Sequence, residues 1–528
     1  MDIIENTPLS AANTQQLQKN LEAFKQAYDQ AGTHSPSLAK IRALFPDLQV
    51  HVDACFIGNP YATEIFEAHL RDELFASDRL YHVLRLYPSQ NRGVAEVLAQ
   101  RLRVCPKKLF IGNGATEIIQ MLLQRFSGPR VLVNLPTFSS YYEFLESHQT
   151  AIFNYLPEEK NFALDIDHLA QLAEEEQADT VILINPNNPD GGFLNPQQMD
   201  SCLKRLQNIP LVIVDESFIH FASPKEGNPY DLSIIHQLDR YPNVVLVKSM
   251  SKDLGIAGAR LGYTIMPEAW VNTILEKGYL WNISCLAETI IGLYNQEKVF
   301  NEYLQARHRY MSELELFMAG LQRIPGLRTV PSKTNFALVK ITDGRTSTDI
   351  VGRMLFEFGV YIRDCRDKKG LYGEYLRISS GTKEENHRTL NALEEIFAPR
   401  SNRILQRIPG QNRLSYQKET IRMEFENYSL TSSDYDSTRI PIGLELILGQ
   451  MAMNAKPISQ QSLLDAGCGT GNYLASLAPK VGSLVGMEKN PAMLERARHK
   501  LTNFTNVSVQ EGDITAMNFA PELFDSGR

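Results

Sequence analysis

The sequence predicts an α/β protein built on a large, mostly parallel sheet. Between Leu109 and Met266, short apolar runs alternate with helix-like segments. The runs are continuous stretches of Val, Ile and Leu, which is typical of strands buried on both faces of a parallel sheet. A polar or Gly-rich cluster follows each run, and ligands bind beyond the carboxyl ends of such strands. We therefore expect these clusters to meet in one functional site.

Length and composition narrow the possibilities further. A chain of 528 residues is too long for one core and suggests two or three domains. With 53 basic and 61 acidic residues, its net charge of -8 argues against a nucleic-acid-binding surface. The six cysteines are scattered without metal-ligand spacing, so we expect reduced thiols and no metal site. The N-terminus does not resemble a signal peptide, and no apolar run approaches bilayer length. These features predict a soluble, cytoplasmic protein.

The segment that follows the apolar run Val244 to Val247 carries the main chemical signal. Lys252 lies just past this predicted strand, and Arg260 follows eight residues later in a Gly-rich turn. This arrangement suits a cofactor with an aldehyde and a phosphate, because the lysine amine can form an imine while Ser249 and Arg260 hold the phosphate. Taken alone, the segment is also compatible with an ordinary surface loop.

Three other clusters provide the remaining groups that such a cofactor needs. Asp215, at the end of a strand, can pair with a protonated pyridine nitrogen and keep the ring electron-accepting. Ala115 and Thr116 open a helix whose free N–H groups can receive a phosphate. Asn188 can donate a hydrogen bond to a phenolic oxygen. Each of these residues has a structural alternative as a turn former or a helix cap.

Two further residues are candidates for the same site. Phe138 follows a predicted strand and can stack on a cofactor ring, although such a residue is often part of the core. Arg377, in the segment Tyr375 to Ser379, can bind a substrate carboxylate through two parallel hydrogen bonds. An isolated arginine in a strand is commonly a surface residue, so the assignment of Arg377 to the site depends on the other candidates.

The order of these motifs resembles a known family. Residues 30–397 are similar to the class I/II pyridoxal-phosphate aminotransferases, especially the histidinol-phosphate aminotransferase branch. The motifs that carry the resemblance are Gly58–Tyr61, Tyr87–Gln90, Asn185–Gly191, Val214–Phe218, Ser249–Lys252 with Gly258–Tyr263, and Tyr375–Ser379. The resemblance implies a fold-type I transferase, with a large sheet domain and a small α+β domain. It also implies a pyridoxal 5'-phosphate cofactor, a homodimer with shared active sites, and amino transfer between an amino acid and a 2-oxo acid.

The resemblance assigns a role to each candidate residue. Lys252 is expected to be the Schiff-base lysine and proton carrier, and Asp215 the partner of the pyridine nitrogen. The other implied roles are the phenolic-oxygen donor (Asn188), the stacking ring (Phe138), the phosphate cup (Ala115, Thr116, Ser249, Arg260), a contact to the neighbouring subunit's phosphate (Tyr61) and the substrate-carboxylate arginine (Arg377).

One position departs from the family pattern. Phe218 stands three residues after Asp215, where the family usually has a tyrosine that also bonds the phenolic oxygen. Loss of the tyrosine hydroxyl should raise the pKa of the imine between the cofactor and the lysine. The absence of this tyrosine is also a feature of relatives such as threonine-phosphate decarboxylases. Amino transfer remains the expected reaction because it is the commonest chemistry of this scaffold. Decarboxylation and a non-catalytic binding module are the alternatives.

A second kind of motif follows the polar segment Ser401 to Ser433. The apolar run that begins at Leu463 leads into a Gly-x-Gly-x-Gly turn, and acidic residues follow the next two runs. Glycines in such a turn let the backbone approach a nucleoside, and an acid can accept hydrogen bonds from the ribose hydroxyls. The pattern resembles class I S-adenosylmethionine-dependent methyltransferases. The resemblance implies that the S-adenosylmethionine-binding residues are Asp465, Gly467, Gly469, Glu488 and Asp513.

The predicted domain organisation follows from these motifs. It comprises an N-terminal arm with part of the small domain (1–58), a large cofactor-binding domain (59–290), a small aminotransferase domain (291–400), a linker (401–440) and a partial Rossmann-like methyltransferase domain (441–528). The sequence stops where the fourth strand of the last domain should begin, so we expect that these 528 residues do not transfer methyl groups.

Overall fold

The computed structural model describes residues 11–29, 35–76, 79–279, 281–398, 444–452, 456–512 and 526–527. The chain divides into two compact units, Met1–Ile408 and Pro409–Arg528. Among the described helices, none combines the length and the apolar character needed to cross a membrane.

The first unit contains two sheets. Its strands are β1 (Val52–Ala54), β2 (Leu109–Gly112), β3 (Arg130–Leu135), β4 (Thr150–Tyr155), β5 (Thr180–Ile184), β6 (Leu211–Asp215), β7 (Val244–Ser249), β8 (Gly262–Ile265), β9 (Leu327–Thr329), β10 (Phe336–Ile341), β11 (Val360–Asp364) and β12 (Tyr375–Ser379).

Helices pack around both sheets. They are α1 (Ala11–Asp29), α2 (Leu38–Leu44), α3 (Pro60–Arg71), α4 (Leu80–Arg85), α5 (Asn91–Leu102), α6 (Ala115–Arg125), α7 (Ser140–Glu143), α8 (Ile166–Glu175), α9 (Pro196–Arg205), α10 (Ile219–Ala222), α11 (Glu268–Glu276), α12 (Cys285–Asn295), α13 (Glu297–Leu321), α14 (Ser347–Phe358) and α15 (Lys383–Phe397). A π-helical turn (Asp72–Ala76) follows α3.

The large sheet has the order β2-β8-β7-β6-β5-β3-β4. All neighbouring strands are parallel except β8, which runs antiparallel to β2 and β7. Alternate residues of a strand enter separate cores on the two faces: Val212 and Val214 pack in one, and Ile213 packs in the other. This two-sided burial explains the continuous apolar runs and confirms the predicted fold class.

The small sheet has the order β1-β11-β12-β10-β9. Strand β1 is parallel to β11, and the other neighbours are antiparallel. Phe24 and Tyr28 of α1 pack into the core of this sheet. The N-terminal segment therefore belongs to the small domain in space, although the large domain lies between them in sequence.

The second unit contains a small parallel sheet. Its strands are β13 (Ser462–Ala466), β14 (Ser483–Glu488), β15 (Val507–Glu511) and β16 (Ser526–Gly527), in the order β15-β14-β13-β16. Its helices are α16 (Leu444–Ala452), α17 (Asn472–Leu477) and α18 (Pro491–Leu501). Leu463, Leu474 and Leu484 belong to its core. A parallel sheet covered by helices agrees with the predicted Rossmann-like architecture.

Candidate active site

Five predicted site residues lie at or beyond the carboxyl ends of the large sheet's parallel strands, with Lys252 just past β7. Asp215 is the last residue of β6, and Ser249 is the last residue of β7. Asn188 follows β5 and Phe138 follows β3. Because parallel strands end at the same edge, this arrangement brings together residues that are far apart in sequence.

Asp215 is fixed from two directions. Its carboxylate is buried; Oδ2 accepts a hydrogen bond from the Tyr141 hydroxyl at 2.9 Å, and Oδ1 accepts one from the Ser217 backbone N–H at 2.8 Å. Burial raises the pKa of Asp215 above its ordinary value. A cationic partner such as a pyridinium would oppose that shift. Sequence analysis missed Tyr141, because a tyrosine on α7 carries no local sign of this contact.

Lys252 is placed among charged groups at the same sheet edge. Burial lowers the pKa of its amine to about 8, with further lowering by Arg377 and Arg260 and an opposing effect of Asp215. Within the described part of the chain, its Nζ makes no hydrogen bond or ion pair. An amine with a lowered pKa and no other partner suits imine formation with an aldehyde.

The start of α6 and the turn before β8 form a narrow cradle. Gly114, with φ of 80°, precedes the helix, and a Cβ atom on it would lie 2.6 Å from Arg260 Nη2. Gly262 pairs in register with both Gly112 and Ser249. A Cβ on Gly262 would lie 2.8 Å from the backbone N of Ala115. The glycines therefore let Ala115, Ser249 and Arg260 approach one another, as a phosphate site at a helix N-terminus requires.

The fourth cup residue, Thr116, is exposed on the first turn of α6. Phe138 is half-buried and packs against the core on one face of the large sheet. Their predicted contacts with the phosphate and with the cofactor ring remain predictions.

Arg377 reaches the large domain from β12. Its Nη1 donates to Asn188 Oδ1 at 2.9 Å and its Nη2 donates to the Cys55 carbonyl at 2.7 Å. Its Nε is buried without a hydrogen-bond partner among the described residues. Because Asn188 accepts through Oδ1, its Nδ2 group keeps both protons for donation, as the predicted bond to a phenolic oxygen requires.

Sequence analysis missed a group of charged residues beside Arg377. Arg363 on β11 pairs in register with Arg377, and its Nη2 lies 2.5 Å from Asp367 Oδ2. Lys368 is also buried, 3.8 Å from the same carboxylate oxygen, and burial lowers its pKa. We call Arg363, Asp367, Lys368 and Arg377 the cation cluster. Its three cations and one carboxylate leave a net charge of +2.

Phe218 and Tyr61 pack in one aromatic cluster. The Phe218 ring is buried and meets the Phe336 ring edge-on, with the centroids 5.2 Å apart. The Tyr61 hydroxyl accepts a hydrogen bond from the Lys383 backbone N–H at 3.1 Å, and Arg309 stacks 4.0 Å from the centre of its ring. These contacts leave the hydroxyl proton of Tyr61 available for donation, and the predicted contact of Tyr61 with a neighbouring subunit's phosphate remains a prediction.

The second unit positions most of its predicted residues around the glycine-rich turn. Glu488 accepts hydrogen bonds from the Gly469 N–H at 2.9 Å and from the Asn490 N–H at 2.8 Å. Asp465 is buried at the end of β13. A Cβ on Gly467, where φ is 96°, would meet no described atom within 4 Å. This open turn beside an acid suits a nucleoside cofactor. Asp513 lies outside the described residues.

The fold and the side chains at the sheet edge define the fold-type I class of pyridoxal-phosphate-dependent transferases. This chain belongs to the family of class I and II aminotransferases, whose model matches residues 59–393. Residues 463–526 match a methyltransferase domain model.

Two relatives match nearly their whole length. The L-serine phosphate decarboxylase of Campylobacter jejuni is 42% identical over 382 residues, which cover 72% of this chain and 97% of that protein. The L-serine phosphate decarboxylase of Sulfurospirillum multivorans is 42% identical over 389 residues, covering 74% and 98%. A solved structure of a decarboxylase from Sulfurospirillum multivorans superimposes with a TM-score of 0.70 at 41% identity, covering 74% of this chain and 99% of that one.

A more distant match lies in the branch that the motifs resemble. The histidinol-phosphate aminotransferase of Thermoanaerobacter pseudethanolicus is 30% identical over 318 residues, covering 60% of this chain and 85% of that protein. The prediction of amino transfer is wrong, because the relatives with higher identity and coverage are decarboxylases. Phe218 was the residue that pointed to this alternative.

Proposed function

We propose that this chain decarboxylates O-phospho-L-serine, releasing CO2 and leaving the phosphate ester of ethanolamine. The proposal rests above all on 42% identity across nearly the full length of two L-serine phosphate decarboxylases. The Phe218 position and the cation cluster give it support that is independent of overall identity.

The first unit fits pyridoxal 5'-phosphate. The Lys252 amine suits the aldehyde, the cradle at Ala115, Ser249 and Arg260 suits the phosphate, and the Asp215 carboxylate suits the pyridine nitrogen. Bound there, the cofactor supplies an electron-accepting ring that stabilises the negative charge left on Cα when CO2 departs. A second unit with an open Gly467 turn beside Glu488 favours S-adenosylmethionine as a further ligand of the chain.

The chain's own groups have separate tasks in this reaction. Asp215, held by Tyr141 and Ser217, would keep a proton on the ring nitrogen of the bound cofactor. Lys252 would hold the cofactor before the substrate amine binds. The Lys252 amine, whose pKa is lowered to about 8, would then carry the proton that replaces the carboxylate at Cα.

The cation cluster favours a substrate that bears a phosphate. A phosphate ester carries a charge of about −2 at neutral pH, which matches the net charge of +2 in the cluster. Placing the substrate phosphate at Arg377 departs from the role that the family resemblance implies for this arginine, and it leaves the substrate carboxylate without the partner predicted for it. This favours decarboxylation, because an ion pair that stabilises the bound carboxylate more than the transition state slows its loss.

The direct test is to incubate the cofactor-loaded chain with O-phospho-L-serine. We expect CO2 and the phosphate ester of ethanolamine in equal amounts, little reaction with L-serine, and no activity of Lys252→Ala. Formation of a 2-oxo acid from added amino acids without CO2 would contradict the proposal. An Arg363→Met variant should lose selectivity for the phosphorylated substrate over L-serine.

We further propose that two copies associate through an exposed apolar surface around α4. Phe75, Leu84 and Tyr87 are 65%, 77% and 85% exposed, and the Tyr87 ring lies 6.0 Å from that of Trp281. Large exposed apolar side chains gathered on one surface are typical of protein–protein interfaces. Homodimers are also what the family resemblance implies.

A further inference from the structure

Four polar side chains are buried together behind the turn that carries Lys252. Lys248 Nζ lies 2.9 Å from Asp253 Oδ1, and His220 Nδ1 lies 2.5 Å from Asp253 Oδ2. His220 Nδ1 also lies 2.8 Å from the Tyr303 hydroxyl. We call Lys248, Asp253, His220 and Tyr303 the buried network. The roles argued above use none of its members.

The Lys248 ammonium joins three segments of the candidate active site. Besides Asp253, its Nζ donates to the Ser249 carbonyl at 3.0 Å and to the Ser217 carbonyl at 3.4 Å. Ser249 belongs to the phosphate cradle, and Ser217 holds Asp215 through its N–H. Asp253 is the residue next to Lys252. One buried cation is therefore bonded to the segments that present the cofactor's phosphate site, its ring partner and its lysine.

The same segments are also joined to one another. The Ser249 backbone N–H donates to the Ser217 hydroxyl at 3.1 Å, so the ends of β6 and β7 are held together beside Lys248. Arg307 supports the far side of the network, where its Nε donates to the His220 carbonyl at 2.9 Å. The network is thus anchored on α13 at one end and on the turn of Lys252 at the other.

The ionic character of this network is not explained by stability alone. Moving charges out of water is costly, and apolar residues of similar size often stabilise a core as well as a buried ion pair does. Here the charges bring directional bonds to backbone carbonyls that an apolar residue cannot make. The ion pair therefore adds directional bonds that fix the geometry of the backbone around Lys252.

We propose that Lys248 and Asp253 are positioning residues that hold the turn of Lys252 in register with Asp215 and Ser249. The inference depends on the proposed function only in taking Lys252 as the cofactor's anchor. A displacement of about 1 Å at a reacting group lowers turnover on the order of 100-fold, so the loss of these bonds should be visible in the rate.

The test replaces the ion pair by a neutral pair. Lys248→Met with Asp253→Asn keeps similar volumes and removes both charges of the ion pair together, whereas Asp253→Asn alone strands the Lys248 ammonium and is the harsher variant. The surface pair Arg353–Glu357, joined at 2.7 Å on α14, provides a control as Arg353→Met with Glu357→Gln. Each chain is compared with and without pyridoxal 5'-phosphate.

Two readouts separate positioning from general stability. In the cofactor-free protein, we expect faster amide hydrogen exchange at residues 215–218 and 249–253 of the neutral-pair variant, with unchanged exchange in the core of the small sheet. In the loaded protein, we expect kcat for decarboxylation to fall by about 10- to 100-fold with KM within about twofold.

Three results would overturn the inference. The first is unchanged local exchange, and the second is turnover that stays at the parent level. The third is global unfolding of the neutral-pair variant under conditions where the control stays folded, which would assign the pair to overall stability. If the parent chain does not decarboxylate O-phospho-L-serine, the proposed function fails, but the exchange experiment still decides whether the network holds the Lys252 turn.

Discussion

At the scale of single residues, burial and the charges around Lys252 set the pH at which its amine becomes reactive. Its pKa is lowered to about 8 from an ordinary value of 10.5, first by burial and then by Arg377 and Arg260. The neutral amine is the reactive form, so reactivity should rise with pH through a midpoint near 8 rather than near 10.5. Mass spectrometry of the cofactor-free protein, acetylated briefly across this pH range, measures that midpoint.

A surface lysine of the same chain provides the internal control for this measurement. Lys108 donates a hydrogen bond to Asp239 at 2.6 Å, and this bond raises the pKa of Lys108, so its acetylation should continue to rise well above pH 8. Equal midpoints for Lys108 and Lys252 would show that the surroundings of Lys252 do not change the chemistry of its amine.

Phe218 offers a second prediction at this scale. Its ring packs on Phe336, and among the described residues Asn188 is the donor proposed for the cofactor's phenolic oxygen. Phe218→Tyr should add a second donor and thus lower the pH midpoint of the bound cofactor's absorbance change. We also expect slower CO2 release and a measurable side reaction of amino transfer. Phe221→Tyr, in the same aromatic cluster, is the control and should leave the midpoint unchanged.

Sequence analysis could predict the residues that lie inside a motif recognisable from their neighbours in sequence. Asp215 ends β6, whereas Asn188 and Lys252 follow the ends of β5 and β7; each lies inside a recognisable motif, and the fold brings them to one edge. Tyr141 could not be predicted because its partner Asp215 lies 74 residues away in sequence. Arg363 could not be predicted because its position beside Arg377 depends on the register between β11 and β12. Phe218 was recognised as a departure, but the commonest chemistry of the scaffold was given more weight than this one residue.

At the scale of secondary-structure elements, the junction between α6 and β8 determines how closely the phosphate cradle can form. A Cβ on Gly262 would lie 2.8 Å from the Ala115 N and 3.0 Å from the Lys248 carbonyl, and both of these are backbone atoms that cannot rotate away. We therefore expect Gly262→Ala to lower the free energy of unfolding by about 1–3 kcal/mol. Affinity for pyridoxal 5'-phosphate should fall as well, because the start of α6 must move away from β8.

Gly258 provides a matched control four residues earlier in the chain. A Cβ there meets no described atom within 4 Å, so Gly258→Ala should leave stability and cofactor affinity nearly unchanged. Urea denaturation and fluorescence titration with the cofactor test both variants. Equal effects of the two substitutions would contradict the close approach of α6 and β8.

The elements also show why local sequence patterns are sufficient to predict the large sheet but not the small sheet. Buried parallel strands such as β6 are recognisable in the sequence as continuous apolar runs, so the large sheet could be predicted strand by strand. Strand β1 has only three residues and pairs with β11 about three hundred positions later. A short strand with a distant partner leaves no periodic signal, and family resemblance was the only guide to its domain.

At the scale of the whole molecule, the proposed dimer would cover the exposed apolar surface near α4. Leu84 and Tyr87 are more than three-quarters exposed. If two copies cover this surface, Leu84→Asp with Tyr87→Asp should place charges in a desolvated interface and convert a dimer into monomers. Light scattering after size-exclusion chromatography measures the mass directly.

Leu316 on α13 separates an interface effect from general solubility. It is 68% exposed and lies outside this surface, so Leu316→Asp should leave the mass of the assembly unchanged. A parent chain that is already monomeric at micromolar concentration would contradict the proposed dimer. If the active sites are shared between subunits, the doubly substituted monomer should also lose decarboxylation while keeping its fold. A fully active monomer would place every catalytic group within one chain and would contradict the predicted contact of Tyr61 with the neighbouring subunit's phosphate.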